Sequence, residues 1–199
     1  MRIGIFGKGR VGSAIATGWQ AANHDVKSLG RASQTEIEGL VQWADILVLA
    51  VPYAAISDLA AALAPATGKI IIDCTNPIAI GPDGLGLAVG HSNSGAETLQ
   101  ALLPDARIVK TLNQVGAEIM ANTSGFGHPP VQFYASDDAE AKEIAAGLLA
   151  DLGFEALDAG GLSKARILEP FALVWINQAM AQGHGRDWAF GAMPRGAAS

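Results

Sequence analysis

Cysteine, charge and long apolar runs are all scarce in this sequence of 199 residues. The single cysteine, Cys74, excludes an internal disulfide and any metal site built from cysteines. Only 13 residues are Lys or Arg, against 19 Asp or Glu, so the chain lacks the cationic face that nucleic acid requires. No uncharged apolar stretch reaches about 18 residues, the minimum for a membrane helix, and the first residues do not form a signal peptide. We therefore expect a soluble, cytoplasmic protein with no nucleic-acid or membrane partner.

Half of the residues are apolar, which is enough to bury a sizeable core. Short apolar runs alternate with longer segments of helical period, a pattern typical of β-α-β units. The candidate strands are residues 2–6, 25–29, 46–50, 70–73, 107–110, 131–135 and 154–157, and the candidate helices are 11–22, 54–63, 139–152 and 163–182. The sequence thus predicts an α/β fold of the Rossmann type, a doubly wound, mainly parallel sheet with a C-terminal helical elaboration. The glycine-rich stretch 75–94 is predicted to be a long loop at the ligand-binding end.

The clearest motif is a G-x-G-x-x-G sequence directly after the first strand and directly before the first helix. It consists of Gly7, Lys8, Gly9, Arg10, Val11 and Gly12. In this context the glycines permit a tight turn, close approach of a pyrophosphate and close packing of the helix on the strand. The exposed N–H groups at the start of the helix then bind the pyrophosphate. The motif therefore predicts a dinucleotide site.

The end of the second strand indicates which dinucleotide is bound. An NAD site carries Asp or Glu there to bind the ribose hydroxyls, whereas this chain has Arg31 and Ser33. Arg31 can stack on adenine and pair with a 2′-phosphate, Ser33 can donate a hydrogen bond, and Lys8 lies on the same side. We therefore predict NADP(H) as the cofactor. Residues 1–199 are predicted to form a single NADP-binding Rossmann domain, with the sheet and crossover helices in 1–158 and the C-terminal helix and tail in 159–199.

Further polar residues follow the predicted strands, where a site in an open α/β sheet is expected. Val51 and Pro52 follow the third strand, Thr75 and Asn76 the fourth, and Asn113 the fifth. Thr75, Asn76 and Asn113 could bind the nicotinamide riboside or an acceptor, although turn and capping roles are equally open. No hydrolase motif and no histidine pair with metal-ligand spacing is present. We predict that Cys74 is a small core residue rather than a nucleophile.

The chain resembles the coenzyme F420-dependent NADP oxidoreductase family, which is related to the NADPH-binding domains of six-helix ferric reductases. Besides the glycine motif, the resemblance is carried by residues 72–77 (IDCTNP), 103–113 (LPDARIVKTLN) and 157–166 (LDAGGLSKAR). It implies a homodimer that passes a hydride between NADPH and a deazaflavin. The implied NADP contacts are Lys8, Arg10, Val11, Arg31, Val51 and Asn76. Leu112 and Gly161 stand where the family usually has phenylalanine and proline, which leaves the acceptor open.

We therefore expect an NADP(H)-dependent oxidoreductase whose acceptor is coenzyme F420 or a flavin-like ring, without a catalytic side chain, because the two ring systems supply the chemistry. Thr75, His91 and Asn113 are the candidate acceptor contacts. One alternative is a reductase of a small carbonyl or imine, which needs a proton donor such as His91, Tyr53 or Lys110. Another is a non-catalytic NADP-binding regulatory module. The apolar run 171–176 predicts a homodimer that buries the C-terminal helix.

Overall fold

The computed structural model describes residues 1–63, 65–82, 84–193 and 195. The strands are β1 (Arg2–Phe6), β2 (Asp25–Leu29), β3 (Ile46–Leu49), β4 (Ile70–Asp73), β5 (Ile78–Gly81), β6 (Gly84–Leu87), β7 (Arg107–Lys110), β8 (Val131–Ala135) and β9 (Glu155–Gly160). The α-helices are α1 (Arg10–Ala21), α2 (Gln34–Trp43), α3 (Ile56–Ala62), α4 (Gly95–Leu102), α5 (Ala117–Ala121), α6 (Ala139–Asp151) and α7 (Ala165–Ile176). Short 3₁₀ turns precede α3 and α7, and a π-helical turn, Asn177–Ala181, follows α7.

Seven strands form one sheet in the order β2-β1-β3-β4-β7-β8-β9. The first five strands in this order are parallel. Strand β8 is antiparallel to β7 and meets it only at Lys110 and Ala135, while β9 runs parallel to β8. The order reverses between β1 and β3, so the carboxyl ends of β1 and β3 flank the crevice where such sheets bind ligands. The predicted Rossmann-type, mainly parallel fold is confirmed.

The core lies in two layers, one on each face of the sheet. On one face, β-strand residues such as Ile5 and Val48 pack with Trp19 of α1 and Leu148 of α6. On the other, Leu47, Leu49 and Ile71 pack with residues of α2, α3 and α4. Because the central strands are covered on both sides, both alternating sets of their side chains must be apolar. This explains the continuous Ile, Leu and Val runs of the sequence.

Several elements were absent from the sequence prediction. Residues 75–94, predicted to be a loop, contain the two-stranded antiparallel hairpin β5–β6. Helices α2 and α4 were not predicted, although each begins at a serine that caps a backbone N–H three residues later, Ser33 for α2 and Ser94 for α4. Helix α5 is five residues long, too short to show a helical period. The predicted helix 163–182 is regular only over Ala165–Ile176.

The segment after α7 folds back onto the sheet. The indole N–H of Trp175 donates a hydrogen bond to the carbonyl oxygen of Trp188 at 2.9 Å, and the N–H of Val131 donates to that of Phe190 at 2.9 Å. The tail therefore continues the core beside β8. Residues 194 and 196–199 of the predicted C-terminal segment lie outside the described residues. None of the helices that the structure describes is long and apolar enough to cross a membrane.

Candidate active site

The glycine motif forms a tight turn between β1 and α1. Gly7 has φ +123°, a conformation that L side chains rarely adopt, and a Cβ on it would collide with the carbonyl group of Ala50. A Cβ on Gly12 would likewise collide with the carbonyl oxygen of Gly7. These two glycines therefore allow β1, β3 and α1 to approach closely.

Gly9 differs from these two glycines because it faces open space. A Cβ on Gly9 would meet nothing within 4 Å, so packing within the chain does not require glycine here. The missing side chain instead leaves room for a group outside the chain. Gly9 is also the N-cap of α1 and provides no side chain to satisfy the first N–H groups of the helix. These N–H groups carry the positive end of the helix dipole. The turn therefore fits a pyrophosphate.

A cleft of about 550 Å³ opens on the β2 side of the glycine turn. Among the residues that line it are Lys8, Gly30, Arg31, Val51 and Pro52. The side chain of Lys8 passes within 3.8 Å of the position that a Cβ on Gly30 would take, so Lys8 lies beside the end of β2. Lys8 and Arg31 are both exposed, and neither forms an ion pair within the described part of the chain. This cleft places two unpaired cations where the adenosine ribose of a dinucleotide would lie.

Ser33, predicted to contact the phosphate, caps helix α2 in this structure. Its hydroxyl donates to Glu36 Oε2 at 2.8 Å and accepts from the N–H of Glu36 at 3.4 Å. The backbone N–H and hydroxyl of Ser33 lower the pKa of Glu36, with a smaller contribution from the charge of Lys8. Ser33 is not among the residues that line the cleft.

A second cleft, of about 270 Å³, lies on the other side of the glycine turn. Its lining includes Val11 of α1 and, after β4 and β7, Cys74, Asn76 and Asn113; the C-terminal segment contributes Trp175, Ile176, Met180 and Arg186. The amide N–H of Asn113 donates to Asn76 Oδ1 at 2.9 Å, while that of Asn76 donates to the carbonyl oxygen of Asn113 at 2.7 Å. The two asparagines thus join the carboxyl ends of β4 and β7. The structure brings together Val11, Asn76 and Asn113, three of the predicted residues.

Cys74 and Thr75 are both buried at the end of β4. Cys74 is 8% exposed and belongs to the core, and burial raises the pKa of its thiol far above the ordinary value, which removes it as a nucleophile. The prediction of a core cysteine is confirmed. Thr75 is 4% exposed, and its hydroxyl has no hydrogen-bond partner among the described residues.

Behind the asparagine pair lies a fully buried ion cluster that the sequence interpretation missed. Lys110 Nζ is 2.9 Å from Asp73 Oδ2 and 3.2 Å from Glu169 Oε1, and it also donates to the carbonyl oxygen of Thr75. Glu169 accepts from the N–H groups of Gly95 and Ala96 at the start of α4. Burial opposes the charge on Lys110, but the two carboxylates outweigh it and raise its pKa. The sequence signal for this cluster was Glu169, an acidic residue within the largely apolar segment 165–176.

The proposed proton donors of the carbonyl alternative lie elsewhere. Lys110 is 0% exposed within this ion cluster. His91 is exposed in the turn between β6 and α4 and lines neither cleft. Tyr53 packs its ring on the start of α4, 2.9 Å from the position of a Cβ on Gly95. Of the described residues that line the second cleft, none is an acid, a histidine, a lysine or a tyrosine.

The C-terminal tail and the glycine motif are joined by one carboxylate. Glu118 Oε1 accepts from the guanidinium of Arg10 and, at 2.8 Å, from Nε of Arg186. Burial would raise the pKa of Glu118, but its bonds to Arg186 and the charge of Arg10 hold it below the ordinary value. Sequence reasoning missed this contact, since Glu118 and Arg186 lie in separate segments.

Comparisons with known proteins agree with this geometry. A family model described as "NADP oxidoreductase coenzyme F420-dependent" matches residues 28–77, the segment from the end of β2 to just after Asn76. An F420-dependent NADP reductase of Methanothermobacter marburgensis is 26% identical over 181 residues, which cover 84% of this chain and 79% of that protein. The metalloreductase STEAP3 of Rattus norvegicus is 28% identical over 187 residues, 86% of this chain. The match spans only 36% of the length of that metalloreductase.

A solved structure extends the similarity to the whole fold. A protein from Arthrobacter sp. FB24, classed with the F420-dependent NADP reductases, superposes with a TM-score of 0.86 at 27% identity. The superposition covers 98% of this chain and 100% of the other. The predicted resemblance is therefore confirmed by sequence and by structure.

Proposed function

The chain resembles the F420-dependent NADP oxidoreductases in sequence and in fold, and from this premise we propose that it transfers a hydride between NADPH and a deazaflavin or flavin-like ring. The observation that carries the proposal is the arrangement of the two clefts. They flank one phosphate-binding turn, the first holds unpaired cations, and the second is lined by apolar and amide groups. This is the arrangement that an NADP(H) molecule and a flat acceptor require.

The residues of the chain bind and align the reactants. The N–H groups after Gly9 hold the pyrophosphate, and Lys8 and Arg31 bind the 2′-phosphate. Gly7, Val11 and Gly12 shape the turn, while Val51 and Pro52 form the wall of the adenosine cleft. Asn76, with Asn113 and Thr75 beside it, positions the nicotinamide riboside. NADPH supplies the hydride when it is bound.

The second cleft is suited to exclude water once both rings fill it. Its walls include Leu112, Val115, Trp175 and Ile176, whose apolar surfaces offer ordered water no hydrogen-bond partner. Hydride transfer between two rings gains its rate from proximity, alignment and a dry site rather than from an acid or base. The lining of this cleft suits such a reaction, whereas reduction of a carbonyl needs a proton at the alkoxide.

We test the proposal by following NADPH oxidation without oxygen in the presence of F420, FMN, riboflavin, ferric chelates or small carbonyls. NADPH labelled with deuterium at C4 should show a primary isotope effect, and with F420 as acceptor the label should appear on the ring carbon of the reduced deazaflavin, where it does not exchange with water. Turnover with carbonyl substrates alone would reject the hypothesis that the acceptor is a deazaflavin or a flavin. Binding of NADPH without oxidation by any acceptor would favour the regulatory module instead.

The proposal also includes the oligomeric state of the protein and its location in the cell. The outer face of α7 exposes Ile167 (60%) and Val174 (51%), with the half-buried Phe171 between them. None of the described residues of one chain covers this apolar stripe, so we propose a homodimer that buries it. The composition supports a cytoplasmic protein, with residues 1–199 forming a single NADP-binding domain that takes a small-molecule acceptor.

A further inference from the structure

We propose that Arg186 forms an anion subsite that selects acceptors carrying a phosphate or carboxylate group on the side chain attached to their redox ring. This inference rests on the proposed function and deepens it by naming the chemistry of the acceptor. The subsite consists of Arg186 on the C-terminal tail, Glu118 on α5 and Arg10 at the start of α1. It lies at the second cleft, which Arg186 lines directly.

The ion pairs around Glu118 leave a net positive charge. Two guanidinium groups share the single carboxylate of Glu118, and no other acid pairs with either arginine among the described residues. Asp187, the next residue in the chain, pairs with neither of them. Among the described residues, one positive charge is therefore uncompensated beside a cleft lined mainly by apolar and amide groups. An anion is the natural partner of such a group.

The subsite is held in place before any ligand arrives. Gly116 fits between Trp175 and Glu118, because a Cβ on it would lie 2.6 Å from the indole and 2.8 Å from Glu118 Oε2. The guanidinium of Arg186 lies 5.8 Å from the ring centroid of Trp175, within the range of a cation–π contact. Arg186 is nevertheless 33% exposed in its side chain, so a ligand can reach it. A pre-organised, accessible cation loses little entropy on binding.

The chain segment that carries Arg186 favours the acceptor over the dinucleotide as its ligand. Val11, Asn76 and Asn113 line the cleft from the glycine turn and from the ends of β4 and β7, where the dinucleotide would lie. Trp175 of α7, with Met180 and Arg186 after it, lines the same cleft from the C-terminal segment. A ring stacked on the nicotinamide would therefore lie against these C-terminal residues, with its substituents within reach of Arg186.

FMN and riboflavin test this subsite because they share one ring and differ by a phosphate. With the NADP⁺-loaded protein, flavin fluorescence gives the Kd of each, and steady-state kinetics with NADPH gives kcat/KM. We expect wild type to favour FMN by about threefold to tenfold, which is the effect of a charge-assisted contact that is partly screened by solvent. Arg186→Gln should bring the ratio near one. Raising the salt concentration should have the same effect, since the Debye length falls to about 3 Å at 1 M.

The Glu118→Gln variant distinguishes recognition of an anion by Arg186 from a purely structural role of the Arg186–Glu118 ion pair. This change removes the neutralising carboxylate, so it should increase the preference for FMN, opposite to Arg186→Gln. If the ion pair only anchored the tail, both variants would loosen it and shift the ratio in the same direction. Arg2→Gln is the matched control, since Arg2 pairs with Asp45 at the far end of β1 and its loss removes the same charge.

Three outcomes would overturn the proposal. The first is equal binding of FMN and riboflavin by wild type, or no binding of either. The second is a parallel shift in Arg186→Gln and Glu118→Gln. The third is a raised KM for NADPH in Arg186→Gln with an unchanged flavin ratio, which would assign Arg186 to the dinucleotide. Selective binding of FMN, with no NADPH oxidation by FMN, riboflavin or F420, would reject the proposed function while supporting the subsite.

Discussion

Gly12 of helix α1 packs so closely on Gly7 that a Cβ at residue 12 would overlap the carbonyl oxygen of Gly7. The overlap would be with backbone atoms of Gly7, which cannot move away cheaply. Gly9, two residues after Gly7, has open space around it instead. The same motif therefore contains glycines that serve the fold and a glycine that serves the ligand.

Alanine substitutions separate these two kinds of glycine. Gly12→Ala should lower the free energy of unfolding by about 1 to 3 kcal/mol through overpacking. Gly9→Ala should leave it within about 0.5 kcal/mol of wild type, since the residue has φ −77° and its Cβ meets no protein atom. The added methyl group should instead weaken NADPH binding by at least about tenfold, because the pyrophosphate must approach there. Urea unfolding and NADPH titration measure the two effects, and unchanged NADPH binding in Gly9→Ala would contradict the assignment.

Arg31 should determine the preference for NADPH over NADH. Its replacement by Ala should cost about 1.5 to 3 kcal/mol of NADPH binding, roughly a ten- to hundredfold loss. NADH lacks the 2′-phosphate and should bind almost as before, and Lys8→Ala should show the same selectivity to a smaller degree. Calorimetric titration of both cofactors measures the change, with Lys142→Ala as a control on the far side of the sheet. An equal loss for NADH would show that Arg31 does not bind the phosphate.

Lys110 should stabilise the fold rather than donate a proton. Lys110→Met leaves the buried carboxylates of Asp73 and Glu169 without a cation, which should cost about 3 to 5 kcal/mol of unfolding free energy. Lys142→Met, which breaks an ion pair with Asp158 whose side chain is 45% exposed, should cost less than about 1 kcal/mol. Urea unfolding at neutral pH distinguishes them. A stable Lys110→Met protein that has lost turnover would favour the carbonyl reductase alternative.

Glu97 should contribute to the stability of the protein at neutral pH and lose that contribution in acid. Its hydrogen bonds to Arg166 lower its pKa below 4.5. A group whose pKa is lowered by folding stabilises the protein above its unfolded pKa, and the effect disappears as pH falls through the folded pKa. Glu97→Gln should therefore be less stable than wild type at pH 7, and the difference should shrink below about pH 4.5. Thermal unfolding across this range measures it, and Glu143→Gln, on the exposed side of α6, should show no such trend.

The apolar face of α7 should hold the proposed homodimer together. Val174→Glu places a charge on this face and should shift the protein from dimer to monomer at micromolar concentration without unfolding it. Leu102→Glu is the matched control, since Leu102 is 46% exposed on α4. Sedimentation velocity measures the assembly. A monomeric wild type would reject the dimer.

The elements that the sequence predicted have a regular pattern of buried apolar residues, and the elements that it missed lack one. Central strands such as β3 and β4 are buried on both faces, so their sequences are largely unbroken apolar runs. The hairpin β5–β6 carries exposed Ile80 (85%) and several glycines, and its strands are held by each other rather than by a core pattern. Helix α2 shows its capping serine, but only two of its residues, Leu40 and Val41, are buried, which weakens its periodic signal.

The sequence by itself determined the features that depend on residues close together along the chain. The glycine turn, the placement of Arg31 after β2 and the burial of the central strands all follow from neighbouring residues, because turn geometry and side-chain period act over a few positions. Only the tertiary structure decided which distant groups meet. Asp73, Lys110 and Glu169 form one ion cluster, and Arg10 shares Glu118 with Arg186, because separate strands and helices deliver them to the same edge of the sheet. The charges of such groups are visible in the sequence, but which of them are paired depends on the packing of elements far apart along the chain.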